Sequence, residues 1–191
     1  MADSMITKKA FASALKELTQ ELPYSKITVG KICDKCDMNR TSFYYHFRDK
    51  YDLVNWIFDT EFVKPYMTNH DDNNWDNVYK TIKYFYENRE FYSKVLEFNG
   101  QNSFSDHFRS LLRPLIYEEL KGILHDEKTI DFQVNFFTDA FIGALERWIK
   151  DKDCPAPDEC IRLLKSCLAI TLDRGADLQE QVKEFENEDA S

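Results

Sequence analysis

Apolar positions recur at the 3.6-residue period along most of this chain and divide it into helices separated by short polar breaks. Phe11, Ala14, Leu15, Leu18 and Leu22 share one face and predict a first helix over 8–21, capped by Thr7 and stopped at Leu22-Pro23. Thr28 is placed to cap a short second helix with Val29, Ile32, Cys33 and Cys36 inward. Asp37-Met38 reads as a tight turn and Asn39 as the cap of a third helix over 40–47. Asp49 caps a fourth that starts at Lys50 and carries Leu53, Val54, Ile57, Phe58 and Phe62 to an end or kink at Pro65. Two short helices joined by a turn that holds one apolar residue, Met38, form a helix-turn-helix.

Beyond a polar connector at 70–74 the helical period continues over 75–88, with Val78, Ile82, Phe85 and Tyr86 inward, and over 91–98. After a loop at 99–103, a helix over 105–124 buries Phe108, Leu111, Leu112, Leu115, Ile116 and Leu120, with a kink expected at Pro114. The strongest signal is 129–150, where Phe132, Phe136, Phe137, Ala140, Phe141, Ala144, Leu145, Trp148 and Ile149 form a wide apolar sector. Cys154-Pro155-Ala156-Pro157 breaks it, and a last helix follows over 158–172. There is no repeat and no strand signal, so the expected fold class is all-α. A three-helix head within 1–50 is joined by the helix over 50–65 to a helical body over 51–175, and 176–191 reads as an acidic tail that frays.

Composition changes this picture in three places. No apolar run approaches the ~20 residues that span a bilayer, and MADSMITKKA lacks a signal-peptide stretch, so a cytoplasmic protein with no membrane partner is expected. The five cysteines, an odd number, read as reduced thiols. The net charge of −9 argues against a nucleic-acid partner until it is divided. Residues 1–50 carry nine Lys and Arg against six Asp and Glu, a surplus of three positive charges, and the remainder carries the acidic excess. A basic head attracts phosphate while an acidic body repels it, which favours one docking orientation on DNA.

The third helix carries the chemistry that fits such a partner. Phe43 and Phe47, at i and i+4, face the head core, and the opposite side presents Arg40, Thr41, Ser42, Tyr44, Tyr45 and His46 to a major groove that admits one helix. Arg40 can pair bidentately with guanine, Thr41 and Ser42 reach base edges or phosphate, and the aromatic trio suits phosphate oxygens or thymine methyls. Thr28 and Lys50, each at a helix start, are placed as phosphate clamps. Cys33-x-x-Cys36 has no second ligand pair at metal spacing, and the histidines are scattered, so neither metal nor cofactor is expected. No phosphate loop, nucleophile elbow or isolated carboxylate pair stands out, which argues against an enzyme.

The run from Ile27 to Leu53, and above all Phe43-Tyr44-Tyr45-His46-Phe47-x-x-Lys50, resembles the DNA-binding signature of the TetR family. The resemblance covers about residues 7–60 and implies a transcriptional regulator: a homodimer on a palindromic operator of double-stranded DNA, with a divergent effector body. The chain departs from the pattern at Asp37, where the family usually has Gly, and at Cys33 and Cys36, which replace small alanines. Leu53-Val54-Asn55-Trp56-Ile57-Phe58 and Tyr84-Phe85-x-x-Asn88-Arg89-x-Phe91-Tyr92 resemble the dihydroxyacetone-kinase-regulator branch, which implies action on a glycerol or dihydroxyacetone operon with a kinase-like co-regulator; control by a small-molecule effector is the alternative. The wide sector of 129–150 needs cover on two sides, so Phe137, Ala140, Phe141, Ala144, Trp148, Leu164 and Leu168 are the expected dimer interface. Tyr86, Phe104, Phe108 and Tyr117 are the candidates for an effector pocket. The rival reading is a protein-interaction module or co-regulator that does not itself read DNA.

Overall fold

Nothing between Ala2 and Leu22 is Gly or Pro, and the first helix accordingly runs further upstream than its apolar face requires, α1 spanning Ala2–Glu21 with Thr7 inside it. The computed structural model describes residues 2–66, 74–97, 103–121, 127–167 and 169. Pro23 opens a single 3-10 turn, Tyr24–Lys26, that redirects the chain into α2, Val29–Lys35. A tight turn leads to α3, Arg40–His46, and then to α4, Lys50–Phe58.

The fourth helix continues past Phe58, but through a π-helical turn, Asp59–Val63, before the short α5, Lys64–Tyr66. The irregularity therefore precedes Pro65 rather than falling on it. Proline has no N–H for the carbonyl of residue i−4, and its ring crowds that carbonyl. The widened turn bonds the Lys64 N–H to Asp59, five residues back, so Pro65 enters a helix already unwound.

The body comprises α6, Asn74–Glu87; α7, Arg89–Val95; α8, Phe104–Lys121; α9, Glu127–Lys150; and α10, residues 157–167. Helix α8 runs through Pro114 as one element. It lies antiparallel to α9, and polar pairs mark the register: Ser105 to Glu146 at 2.9 Å, Arg109 to Asp139 at 2.9 Å and Arg113 to Asp131 at 2.9 Å. The two arginine pairs are exposed, so they set direction more than stability, while Ser105 is buried.

The core is one continuous cluster of buried side chains. Phe11, Leu15, Ile32, Phe43, Phe47 and Leu53 fill the head end, and Phe58, Phe85, Tyr92, Phe104 and Phe108 fill the body. Phe58 touches six other aromatic rings at 5.2–6.2 Å, among them Phe104 and Phe108. Leu115, expected inside, is 45% exposed, because the core cluster ends at Leu111 and Leu112 and takes in no residue of α8 beyond them. Among the described residues there is no strand, and no helix is long and apolar enough to cross a membrane. The connector at 70–73, Phe98, residues 99–102, Leu124, Leu168, residues 170–172 and the tail over 176–191 lie outside the described residues.

Candidate nucleic-acid interface

Three caps build the head, each a side chain that accepts from an otherwise unpaired N–H at a helix start. Thr28 Oγ1 accepts from the Lys31 N–H at 3.3 Å and Asn39 Oδ1 from the Ser42 N–H at 2.7 Å. Asp49 Oδ1 accepts from Tyr51 and Asp52 at 2.8 and 2.9 Å, and Asp52 reaches back to the Arg48 N–H at 2.9 Å.

The turn between α2 and α3 closes in the pattern of a Schellman motif: the Met38 N–H donates to Cys33 O at 3.0 Å and the Asp37 N–H to Asp34 O at 3.4 Å. This geometry demands a left-handed residue, and Asp37 supplies it with φ of 54°, a conformation that normally favours Gly. Met38 packs on the head core.

Phe43 and Phe47 hold α3 against α1. Their rings lie 5.2 and 6.4 Å from Phe11, and both are buried. That anchoring turns the remainder of α3 outward. Arg40 and Thr41 are exposed, Tyr44 is 58% and Tyr45 82% exposed, and Ser42 and His46 are half-buried. His46 packs edge-on between Tyr45 at 4.9 Å and Phe47 at 6.3 Å. The exposed Thr28 lies at the start of α2 with its oxygen already used as a cap.

Lys50 is differently placed from the free clamp its position suggests. Its ammonium donates to Tyr24 O at 2.8 Å and Ile27 O at 2.9 Å, over the Tyr24 ring at 4.4 Å. Burial lowers its pKa from the ordinary lysine value. Two of its donors tie α4 to the 24–27 bend, and one remains for an outside acceptor.

The fold agrees with that of known proteins. The family model described as "Bacterial regulatory proteins, tetR family" matches residues 12–57, and that of a "Transcriptional regulator C-terminal region" matches residues 73–169. The chain belongs to the TetR family. The HTH-type dhaKLM operon transcriptional activator DhaS of Lactococcus lactis subsp. lactis (strain IL1403) is 32% identical over 124 residues, a match that spans 63% of this chain and 66% of that relative. A TetR transcriptional regulator from Streptococcus agalactiae 2603V superposes with a TM-score of 0.69 at 25% identity, over 88% of this chain and 95% of that one. The solved dihydroxyacetone kinase operon activator DhaS shares the fold, with a TM-score of 0.64 at 21% identity over 88% and 97%. This chain is thus a TetR-family transcriptional regulator similar to DhaS.

In this TetR-family body, the residues singled out for an effector pocket are not brought together. Phe104 and Phe108 stack on each other at 6.0 Å and are buried among Phe58 and Phe85, so they are core. Tyr86 stacks on Trp148 at 5.9 Å with the Arg89 guanidinium 5.0 Å from its ring, and Tyr117 is 41% exposed. Aromatic spacing on a helix does not distinguish pocket from core, which explains the difference. A small apolar cleft does lie between α6, α9 and α10, lined by Ile82, Phe141, Ala144, Leu145, Cys160 and Leu164.

Of the expected dimer residues, Ala140 is exposed, while Phe137, Phe141, Ala144, Trp148 and Leu164 are half-buried. Trp148 donates from Nε1 to Pro155 O at 3.1 Å, so it belongs to this protomer's own packing. The larger uncovered groups are Phe132 at 74% and Phe136 at 59% exposure, which fall at i and i+4 with Ala140 on one face of α9. Both stood in the apolar sector of the sequence; only the fold shows which edge of it is uncovered.

Cys33 and Cys36 are held in the head, where burial pushes both thiols above the ordinary value and the Cys36 thiol donates to Ile32 O at 3.2 Å. A hydrogen-bonded chain not anticipated from the sequence links head to body. Lys16 Nζ meets Glu61 at 2.7 Å, Tyr84 Oη donates to Glu61 at 3.2 Å, and the hydroxyls of Tyr84 and Tyr92 lie 2.9 Å apart. Its members come from α1, the π-helical turn, α6 and α7, a grouping that no local spacing reveals.

Proposed function

We propose that this regulator binds a palindromic operator as a homodimer, with α3 of each protomer in the major groove. The observation that carries the reading is α3 itself, pinned by Phe43 and Phe47 and displaying Arg40, Thr41, Tyr44 and Tyr45 outward. Ser42, His46, Thr28 and the remaining donor of Lys50 supply secondary contacts to phosphate or base edges. The subunits pair through α9 and α10, and the uncovered Phe132 and Phe136 edge joins Phe137, Ala140, Phe141, Ala144 and Leu164 in that contact. Two recognition helices bind tightly when spaced by one helical turn of DNA, about 34 Å, or a multiple of it. A small-molecule effector or a partner protein on the body controls that spacing. The resemblance to the dihydroxyacetone-kinase-regulator branch favours a kinase-like partner as the controller, and the likeness to a dhaKLM operon activator supports that branch. The protein acts in the cytoplasm, where its thiols stay reduced.

The test is binding of the purified full chain to the DNA upstream of its own and neighbouring genes across a salt series. Saturable binding to a palindrome at two chains per site, weakening steeply as salt rises, supports the reading. Absence of binding at low salt overturns it in favour of an interaction module.

A further inference from the structure

Gly30 lies on the side of α2 that faces α3, and the first residue of α3, Arg40, lies across it. A methyl group built on Gly30 would stand 2.6 Å from Arg40 Nη2, 3.3 Å from Cζ and 3.4 Å from Nε. The guanidinium therefore fills the volume that any side chain at position 30 would occupy. Gly30 is buried although its neighbours Thr28 and Lys31 are exposed.

Backbone geometry gives no reason for glycine here, since no glycine among the described residues has positive φ. Within a helix glycine is less favourable than alanine. What it provides is room. Among the described residues no acceptor takes a hydrogen bond from the guanidinium of the exposed Arg40, so its N–H donors are unspent and the contact with Gly30 is what places it. A guanidinium seated in this way loses less rotamer freedom on pairing with the planar edge of a base than one swinging free at a helix tip.

We propose that Gly30 is a positioning residue for base recognition, leaving open the seat that fixes Arg40 and aims its guanidinium at one guanine in each half-site. This rests on the reading of α3 as the recognition helix. Guanine is the base whose O6 and N7 match two parallel guanidinium donors.

Gly30→Ala should fold, because alanine favours the helix and displaces only the end of a long flexible side chain. The wild type, G30A, R40A and the double variant would each select sites from a random-sequence duplex pool. Dissociation constants would then be measured on the selected site and on its single-base changes. The expected result is a guanine preference of about tenfold at one position per half-site in the wild type, lost in both single variants and no worse in the double. Preferences at other positions stay, and the melting temperature of G30A is equal to or above that of the wild type. The inference is overturned if G30A keeps the guanine preference, if its losses multiply with those of R40A, or if it binds DNA more tightly, which would make the seat a place where Arg40 is stowed. A wild type that selects no consensus overturns the recognition-helix reading as well, whereas a consensus unchanged in G30A sinks this inference alone.

Discussion

Lys16 and Glu61 meet at 2.7 Å, joining the first helix of the head to the π-helical turn from which the body begins. Both side chains are partly exposed, at 30% and 39%, so the pair contributes less than about 1 kcal/mol to folding. Its value is geometric, since Glu61 also takes the Tyr84 hydroxyl. Glu61→Ala should leave the melting temperature nearly unchanged yet weaken operator binding by roughly fivefold, through loss of a preset head orientation. Calorimetry and fluorescence anisotropy on the same samples separate the two effects, and parallel losses in both would show a plain stability defect.

Replacing Asp37 by Gly should stabilise the protein by about 1 kcal/mol, because the left-handed conformation costs a side chain roughly that much, offset in part by unfolded-state entropy. Asp37→Ala should destabilise it. Urea midpoints of the two variants fall on opposite sides of the wild type if φ of 54° carries strain.

Lys50→Met strands the Ile27 carbonyl and leaves the Tyr24 carbonyl with only the Ile27 N–H, and should cost about 1–3 kcal/mol, the usual penalty for a buried acceptor left without its donor. Its effect on DNA binding must therefore be measured where the variant is fully folded. Tyr44→Ala, at an exposed position, should weaken binding with no change in stability.

Phe136→Asp should convert the protein to monomers in sedimentation velocity without altering its circular dichroism, since Phe136 is 59% exposed and leaves no hole behind. An unchanged dimer would place the subunit contact elsewhere.

Burial raises the phenol pKa of Tyr24, Tyr84 and Tyr92 above the ordinary 10.0. The folded state thus holds these protons more tightly than the unfolded chain. Their contribution to stability is complete below pH 10.0 and is lost as pH climbs beyond it. In an alkaline titration, a late rise of phenolate absorbance should coincide with loss of helical signal. A late rise with helicity intact would mean that these hydroxyls reach solvent in the native state.

Most of the head was legible because its information is local, the exceptions being Thr7, which lies inside α1, and Lys50, which is tied to the 24–27 bend. Thr28, Asn39 and Asp49 each cap the helix that follows them, and the i, i+4 pair Phe43 and Phe47 orients α3 unaided. The body was legible only as helices. Phe104, Phe108 and Tyr86 have the same spacing whether they line a cavity or fill one, and Phe132 counts as apolar whether or not anything covers it. The seat of Arg40 on Gly30 and the Lys16–Glu61 contact depend on how helices cross, which periodicity does not encode.

The widened turn at Asp59–Val63 also governs how such regulators can be recombined. A turn that takes an additional residue rotates everything after it relative to everything before, so Leu53 and Ile57 on one side and Phe62 on the other follow separate phases of the same rod. A foreign head spliced upstream of Asp59 would inherit the offset this body needs. One spliced downstream brings its own version of this segment, and keeps the phase this body needs only where that segment is widened in the same way.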